Sequence, residues 1–140
     1  PEIMRRVDEW ARAHLDEHVI GVQVRTWRDY ERRYRKYYLP AEKRLGRLMR
    51  DADARARFFV VSDSDDIAPQ LASAYGAARV MQFPRTTARP ASWQSVDGIT
   101  EDLLDMLLLA RTRRVFASYL STFSETAWWL GGATASVWTF

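Results

Sequence analysis

A chain of 140 residues, 47% hydrophobic and 13% aromatic, suits one compact domain with its own core and excludes a disordered segment. The absence of cysteine excludes disulfides, thiolate metal sites and cysteine nucleophiles. The formal charge of +3 is unevenly spread, with nine Lys or Arg against three acids between Arg28 and Arg50, and no apolar run reaches the about 18 residues that cross a membrane.

Ile3, Val7, Trp10, Ala11 and Leu15 recur at spacings of three and four, which predicts an amphipathic helix over 2–15. His14 and His18 stand four apart in a charged stretch without an HExxH pattern, so they read as a solvated helix end rather than metal ligands. Residues 19–25, VIGVQVR, predict the first strand, with Arg25 at its carboxyl end. Ligands of parallel α/β sheets bind outside that end. The loop TWRDY leads into a basic helical stretch that runs to about Asp53. Pro40 interrupts it, so a helix is expected to begin near that residue and to bury Leu45, Leu48 and Met49. The charged, aromatic run ERRYRKYY before it has three readings: a solvated surface, a nucleic-acid-binding face, or a basic wall beside a phosphate.

Residues 57–62, RFFVVS, predict the second strand, which runs into Asp63, Ser64, Asp65 and Asp66. That acidic turn opens a helix over 67–75, ended by Gly76. The helix dipole alone favours acids there. Calcium is discounted, because no EF-hand glycine or distal glutamate follows. A third strand is predicted over 79–83. Residues 84–96 form a loop with two prolines, two threonines and two serines, of a length that marks functional or mobile loops.

Leu103, Leu104, Met106, Leu107, Leu108 and Leu109 predict a helix apolar almost all round and buried on more than one side. Val115, Phe116 and Ala117 read as a buried parallel strand. Ser118, Ser121, Thr122 and Ser124 place four hydroxyls within seven residues. Thr122 and Glu125 have capping-box spacing, so a helix is expected to begin near Thr122. Its free N–H groups and positive dipole end offer a phosphate site; an ordinary cap accounts for the same residues. Residues 135–140 predict a last strand. Trp128, Trp129 and Trp138 read as core packing of the last helix, with a contact surface for another domain or a second copy as the alternative.

Strands alternating with helices define an α/β fold: a three-layer, Rossmann-like parallel sheet with helices on both faces. Arg25, the turn 63–66 and the hydroxyls 118–124 all fall at strand carboxyl ends. This convergence points to an anionic ligand, a nucleotide first of all. Neither GxGxxG nor GxxxxGK[ST] is present, so the dinucleotide fingerprint and the Walker loop do not apply.

With these residues in view, 19–132 resembles the carboxyl-terminal, donor-binding half of GT-B fucosyltransferases: the nodulation and core α-1,6-fucosyltransferases and the protein O-fucosyltransferases. Three motifs carry the resemblance, in order. A strand ending in His-x-Arg stands here as Gln23-Val24-Arg25, with glutamine in place of histidine and the large Trp27 in the following loop. An acidic turn after a strand stands as Ser62-Asp63-Ser64-Asp65-Asp66. A leucine-rich helix with an aspartate, then a strand, then a serine-rich turn stands as 105–110 followed by Ser118-Tyr119-Leu120-Ser121-Thr122-Phe123-Ser124.

The resemblance implies that Arg25 binds the β-phosphate of GDP-fucose and serves catalysis. It implies that Asp63 and Asp65 lie near the nucleotide and that Asp105 binds guanine. It also implies that Ser121, Thr122, Phe123 and Ser124 hold the phosphates. The implied reaction is inverting fucosyl transfer to a glycan or protein hydroxyl, with GDP-fucose as donor and neither metal nor cofactor. The catalytic base is not assigned. Residues 1–140 are then a single nucleotide-sugar-binding domain, a fragment or the C-terminal half of a longer enzyme whose acceptor-binding half lies upstream. Such a chain is expected to fold alone, bind GDP weakly and transfer little sugar. Two other readings stand beside this one: a nucleotide-binding module without transferase activity, and a nucleic-acid binder using the 28–50 surface. The compartment stays open: cytoplasmic if bacterial, Golgi or ER lumen if eukaryotic.

Overall fold

The computed structural model describes residues 2–140. Five strands, β1 (Val19–Val24), β2 (Arg57–Ser62), β3 (Val80–Met81), β4 (Arg114–Ala117) and β5 (Ser136–Thr139), form one sheet in the order β3-β2-β1-β4-β5. Every neighbouring pair is parallel. This is the expected α/β architecture, a parallel sheet with strands alternating with helices.

The alternation of side chains along the strands divides the core into two layers. On one face, Ile20, Val22, Val24, Phe58 and Val60 meet Leu45 and Met49 of α3 (Leu39–Asp51) and Ile67 and Ala68 of α4 (Ile67–Tyr75). On the other, Val19, Phe59, Val61, Val115 and Ala117 meet α5 (Val96–Leu109) through Leu104, Leu108 and Leu109. Val7 of α1 (Glu2–His14) and Ala127 of α6 (Thr122–Leu130) complete that layer. The helices between β1 and β3 thus cover one face, and those after β3 cover the other. The chain reverses its direction of travel across the sheet between β1 and β4. A crevice opens at that point, beyond the strands' carboxyl ends.

Four local readings are refined by the structure. Helix begins at Glu31, as the short α2 (Glu31–Arg33), and continues through a π turn at Tyr34–Tyr38 into α3 without a break at Pro40. Proline lacks an N–H and crowds the carbonyl four residues back, and the wider π turn absorbs both. The third strand shrinks to Val80–Met81, with two register pairs on β2. The loop 84–96 contains a 3-10 segment, Arg89–Gln94, that buries Arg89 and Ser92. The cap of α6 is Ser121, one residue earlier than the capping-box spacing indicates. The tryptophans also depart from simple core packing: Trp129 is 64% exposed and Trp138 44%, the latter on the edge strand β5. No helix among the described residues is long and apolar enough to cross a membrane.

The start of α5 is fixed by close packing. The Ser95 hydroxyl accepts the Gly98 N–H at 3.0 Å, and a Cβ on Gly98 would fall on the Ser92 carbonyl and Cα. Backbone cannot move aside as a flexible side chain can, so Gly98→Ala is expected to destabilise the fold by about 2 kcal/mol. A urea midpoint unchanged by the substitution would contradict this packing.

Candidate functional site

The crevice at the switch point holds a cavity of 580 Å³. Gln23, Arg25, Asp63, Asp105, Ser121, Thr122 and Phe123 line it together, although they come from four separate segments. Asp65 and Ser124, also expected at the site, lie just outside this lining. Asp65 accepts the Arg89 backbone N–H at 3.1 and 3.2 Å, which fixes the loop that forms one wall. The Ser124 hydroxyl donates to the Ser121 carbonyl at 3.0 Å inside the helix cap.

Arg25 follows β1, and its backbone N–H donates to the Ser118 hydroxyl at 2.8 Å, tying the ends of β1 and β4 together. Its guanidinium stands 3.4 Å from Asp63 and 4.8 Å above the Trp27 ring, with the side chain 41% exposed. Asp63 spends its other oxygen on the Thr26 N–H at 2.8 Å. Its visible work is therefore to hold the Arg25 loop. Trp27, at φ 58, is a non-glycine residue in the left-handed region, a costly backbone state kept where a site over-determines it. Its ring also carries Arg33 at 5.0 Å, so the bulk at this position packs two arginines in place.

Opposite Arg25 lies the amino terminus of α6. The Ser121 hydroxyl accepts the Ser124 N–H at 3.4 Å. The first N–H groups of the helix, on Thr122 and Phe123, have no partner four residues back and remain available to a ligand at the positive end of the dipole. Leu120, at φ 57, makes the turn that aims this end at the cavity.

The floor is an ionic network. Asp105 on α5 is fully buried, and its Oδ2 accepts from Arg89 Nη1 at 2.7 Å and from Arg85 Nη1 at 2.8 Å. Arg85 also reaches Asp102 at 2.8 Å and Glu101 at 3.6 Å, and Arg89 Nη1 donates to the Ser62 carbonyl at 3.0 Å. Burial pushes the Asp105 carboxyl up from its ordinary value against the pull of Arg89 and Arg85.

Burial also works against ionisation of Glu101. The N–H and hydroxyl of Thr86, the N–H of Thr87 and Arg85 outweigh it and hold that carboxyl below its ordinary value. A lowered folded-state pKa means stability that is complete above the unfolded value of about 4.5 and lost as pH falls through the folded one. Glu101→Gln should therefore cost about 1–3 kcal/mol at pH 7 and less at pH 3. Chemical denaturation at the two pH values checks this, and a cost equal at both would refute it.

Sequence reasoning missed Arg85 and Arg89, because the loop was read for its prolines and hydroxyls. A signal was present: Glu101, Asp102 and Asp105 lie within one and a half turns of a largely apolar helix, and buried carboxylates require cations.

The fold and the position of the cavity define a Rossmann-like domain with a ligand crevice at its topological switch point. Its architecture is that of GT-B fucosyltransferases, in their C-terminal half. No family model matches the chain, and no curated protein sequence matches it significantly. Solved structures do. The fucosyltransferase NodZ from Bradyrhizobium is 26% identical, with a TM-score of 0.59 over 90% of this chain and 40% of NodZ. The structure of NodZ α-1,6-fucosyltransferase soaked with GDP-fucose gives a TM-score of 0.61 at 26% identity, over 92% of this chain and 41% of that one. POFUT1 in complex with GDP shares the fold at 12% identity, with a TM-score of 0.64 over 99% of this chain and 46% of POFUT1. The chain thus spans less than half the length of each of these enzymes.

Proposed function

We propose that this chain is the donor-binding domain of an inverting fucosyltransferase and binds GDP-fucose in the 580 Å³ cavity. The observation that carries this reading is the convergence of Arg25, the amino terminus of α6 and buried Asp105 on one crevice. The presence of GDP or GDP-fucose in the NodZ and POFUT1 structures supports it.

The chemistry follows from the charges. A glycosyl donor breaks its sugar–phosphate bond through an oxocarbenium-like state, and negative charge grows on the departing diphosphate. Arg25 and the N–H groups of Thr122 and Phe123 are preorganised to receive that charge. Arg25 brings a permanent charge and a forked donor set. This is the work a divalent cation does elsewhere, so the proposed transfer is metal-independent. Asp105 grips the base at the other end. The acceptor, a glycan or protein hydroxyl, and its base belong to a second domain in this reading, as the 40% coverage of NodZ favours.

A second reading is a nucleotide-binding module without transfer, favoured by Gln23 in place of the motif's histidine. Calorimetric titration with GDP, GDP-fucose, UDP and ADP tests the first step common to both. Binding confined to guanine nucleotides supports the site; equal binding of UDP or ADP would sink it. Transfer or hydrolysis of GDP-fucose by a longer protein containing this chain would then exclude the second reading.

A further inference from the structure

The two edges of the sheet differ. The β3 edge is Val80–Met81 alone, with Arg79 before it and Pro84 close behind. Short length, charge and proline are the usual means of keeping an edge from pairing with another chain. The β5 edge has none of them. Ser136–Thr139 is twice as long, pairs only with β4, and lies in a stretch from Ala135 to Phe140 without charge or proline. All of its residues are exposed.

The outer side of β5 is a free row of backbone donors and acceptors. The Ser136 and Phe140 N–H groups donate to the Arg113 and Ala117 carbonyls, each at 3.0 Å, and the Phe140 carbonyl accepts from the Tyr119 N–H. Backbone groups alternate in direction along a strand, so those of Val137 and Thr139 point away from the sheet. Apolar surface lies on both sides of this row. On one face, Trp138 meets Phe116 edge-on at 6.0 Å and leaves its outer side bare. On the other, Val137 and Thr139 line an open cavity of 490 Å³ with Leu120 and Trp128. The Trp128 indole N–H donates to the Ala135 carbonyl at 3.0 Å, and its ring carries Trp129 edge-on at 5.1 Å, so this surface continues onto α6. A helix laid on one face would leave the other face and the backbone row uncovered; a further strand covers all three.

We infer that β5 pairs antiparallel with β5 of a second copy of this chain, joining the two sheets into one across a two-fold axis. Such an axis requires a self-complementary edge, and β5 supplies one. An axis perpendicular to the sheet keeps each face continuous, so residues on one face must meet residues on the same face. The register that also pairs both outward residues within β5 sets Val137 opposite Thr139 of the second copy, each pair exchanging both N–H···O bonds. Trp138 then meets Trp138 of the second copy on the axis, in the position where opposite side chains come closest. The area suffices. Leu120, Trp129, Val137 and Trp138 expose about 400 Å² of apolar surface on each copy. A standard interface takes about 800 Å² from each partner, a little over half of it apolar.

Sedimentation equilibrium of the 140-residue chain at micromolar concentration should give twice the mass of one chain. Thr139→Pro removes an outward N–H that the chain's own sheet does not use, and Val137→Lys sets a charge on the seam. Each should sediment as a monomer with an unaltered far-ultraviolet circular dichroism spectrum. The chain has no cysteine, so introduced ones report the register. Val137→Cys and Thr139→Cys chains should form a disulfide with each other on mixing under mild oxidation, and neither should cross-link alone, because like positions lie about 7–8 Å apart on the diagonal. A chain that stays monomeric, a dimer indifferent to both Thr139→Pro and Val137→Lys, or cross-links confined to the unmixed samples would overturn the pairing.

Discussion

Arg25→Ala is expected to weaken GDP binding by about a hundredfold while leaving the melting temperature nearly unchanged. The affinity loss follows from removing a charge-assisted, forked donor to the diphosphate, worth about 1.5–3 kcal/mol. The fold is spared because the side chain is 41% exposed and its one carboxylate neighbour, Asp63, lies at 3.4 Å and stays hydrogen-bonded to Thr26. Arg25→Lys should fall between, keeping the charge and losing the fork. In a longer, active protein the same Ala substitution should cut transfer by about 10²–10³-fold, as removal of other preorganised transition-state donors does. Calorimetry and a thermal melt on the same sample separate the two effects. GDP affinity indifferent to Arg25 would place the diphosphate elsewhere.

Asp105→Ala should behave oppositely, damaging the fold first. Asp105 Oδ2 is the common acceptor for Arg89 and Arg85, whose side chains are 4% and 7% exposed. Removing it leaves Arg89 with no carboxylate closer than Asp65 at 4.0 Å, and Arg85 with Asp102 and Glu101. Breaking one side of a buried ion pair costs about 3–5 kcal/mol. A domain of this size holds about 5–15 kcal/mol in all, so the urea midpoint should drop sharply or folding should fail at 37 °C. Asp105→Asn preserves shape but not charge and should recover only part of the loss. A midpoint within experimental error of the unaltered chain would mean that water, not Asp105, compensates these arginines.

The backbone of this fold was largely legible because its signals are local. RFFVVS bounded by polar residues is a strand, and residues 67–75 form a helix between an acidic turn and Gly76. Legibility failed where a neighbour decides. Val80–Met81 is cut short because only two residues find register on β2, a pairing that Arg79–Phe83 cannot announce by itself. Pro40 was read as a break because a proline's local cost is fixed, whereas the π turn before it is a solution of the whole helix.

The site divides in the same way. Arg25, Asp63 and the 121–123 turn announce themselves by lying at strand ends. Asp105 was picked out through family resemblance alone. Arg85 and Arg89 stand 20 and 16 residues before it, and no spacing rule predicts that the loop folds back onto α5.

The cavity has one wet end and one dry end, and ionic strength should distinguish them. Arg25 is open to solvent, and mobile ions within the Debye length, about 8 Å in physiological salt, compete for its field. The Arg89–Asp105 floor is closed to such ions. Added salt should therefore erode the affinity contributed by the diphosphate and leave that contributed by the base. Guanosine and GDP, far apart in dilute buffer, should draw together in concentrated salt, with the nucleoside as the fixed point.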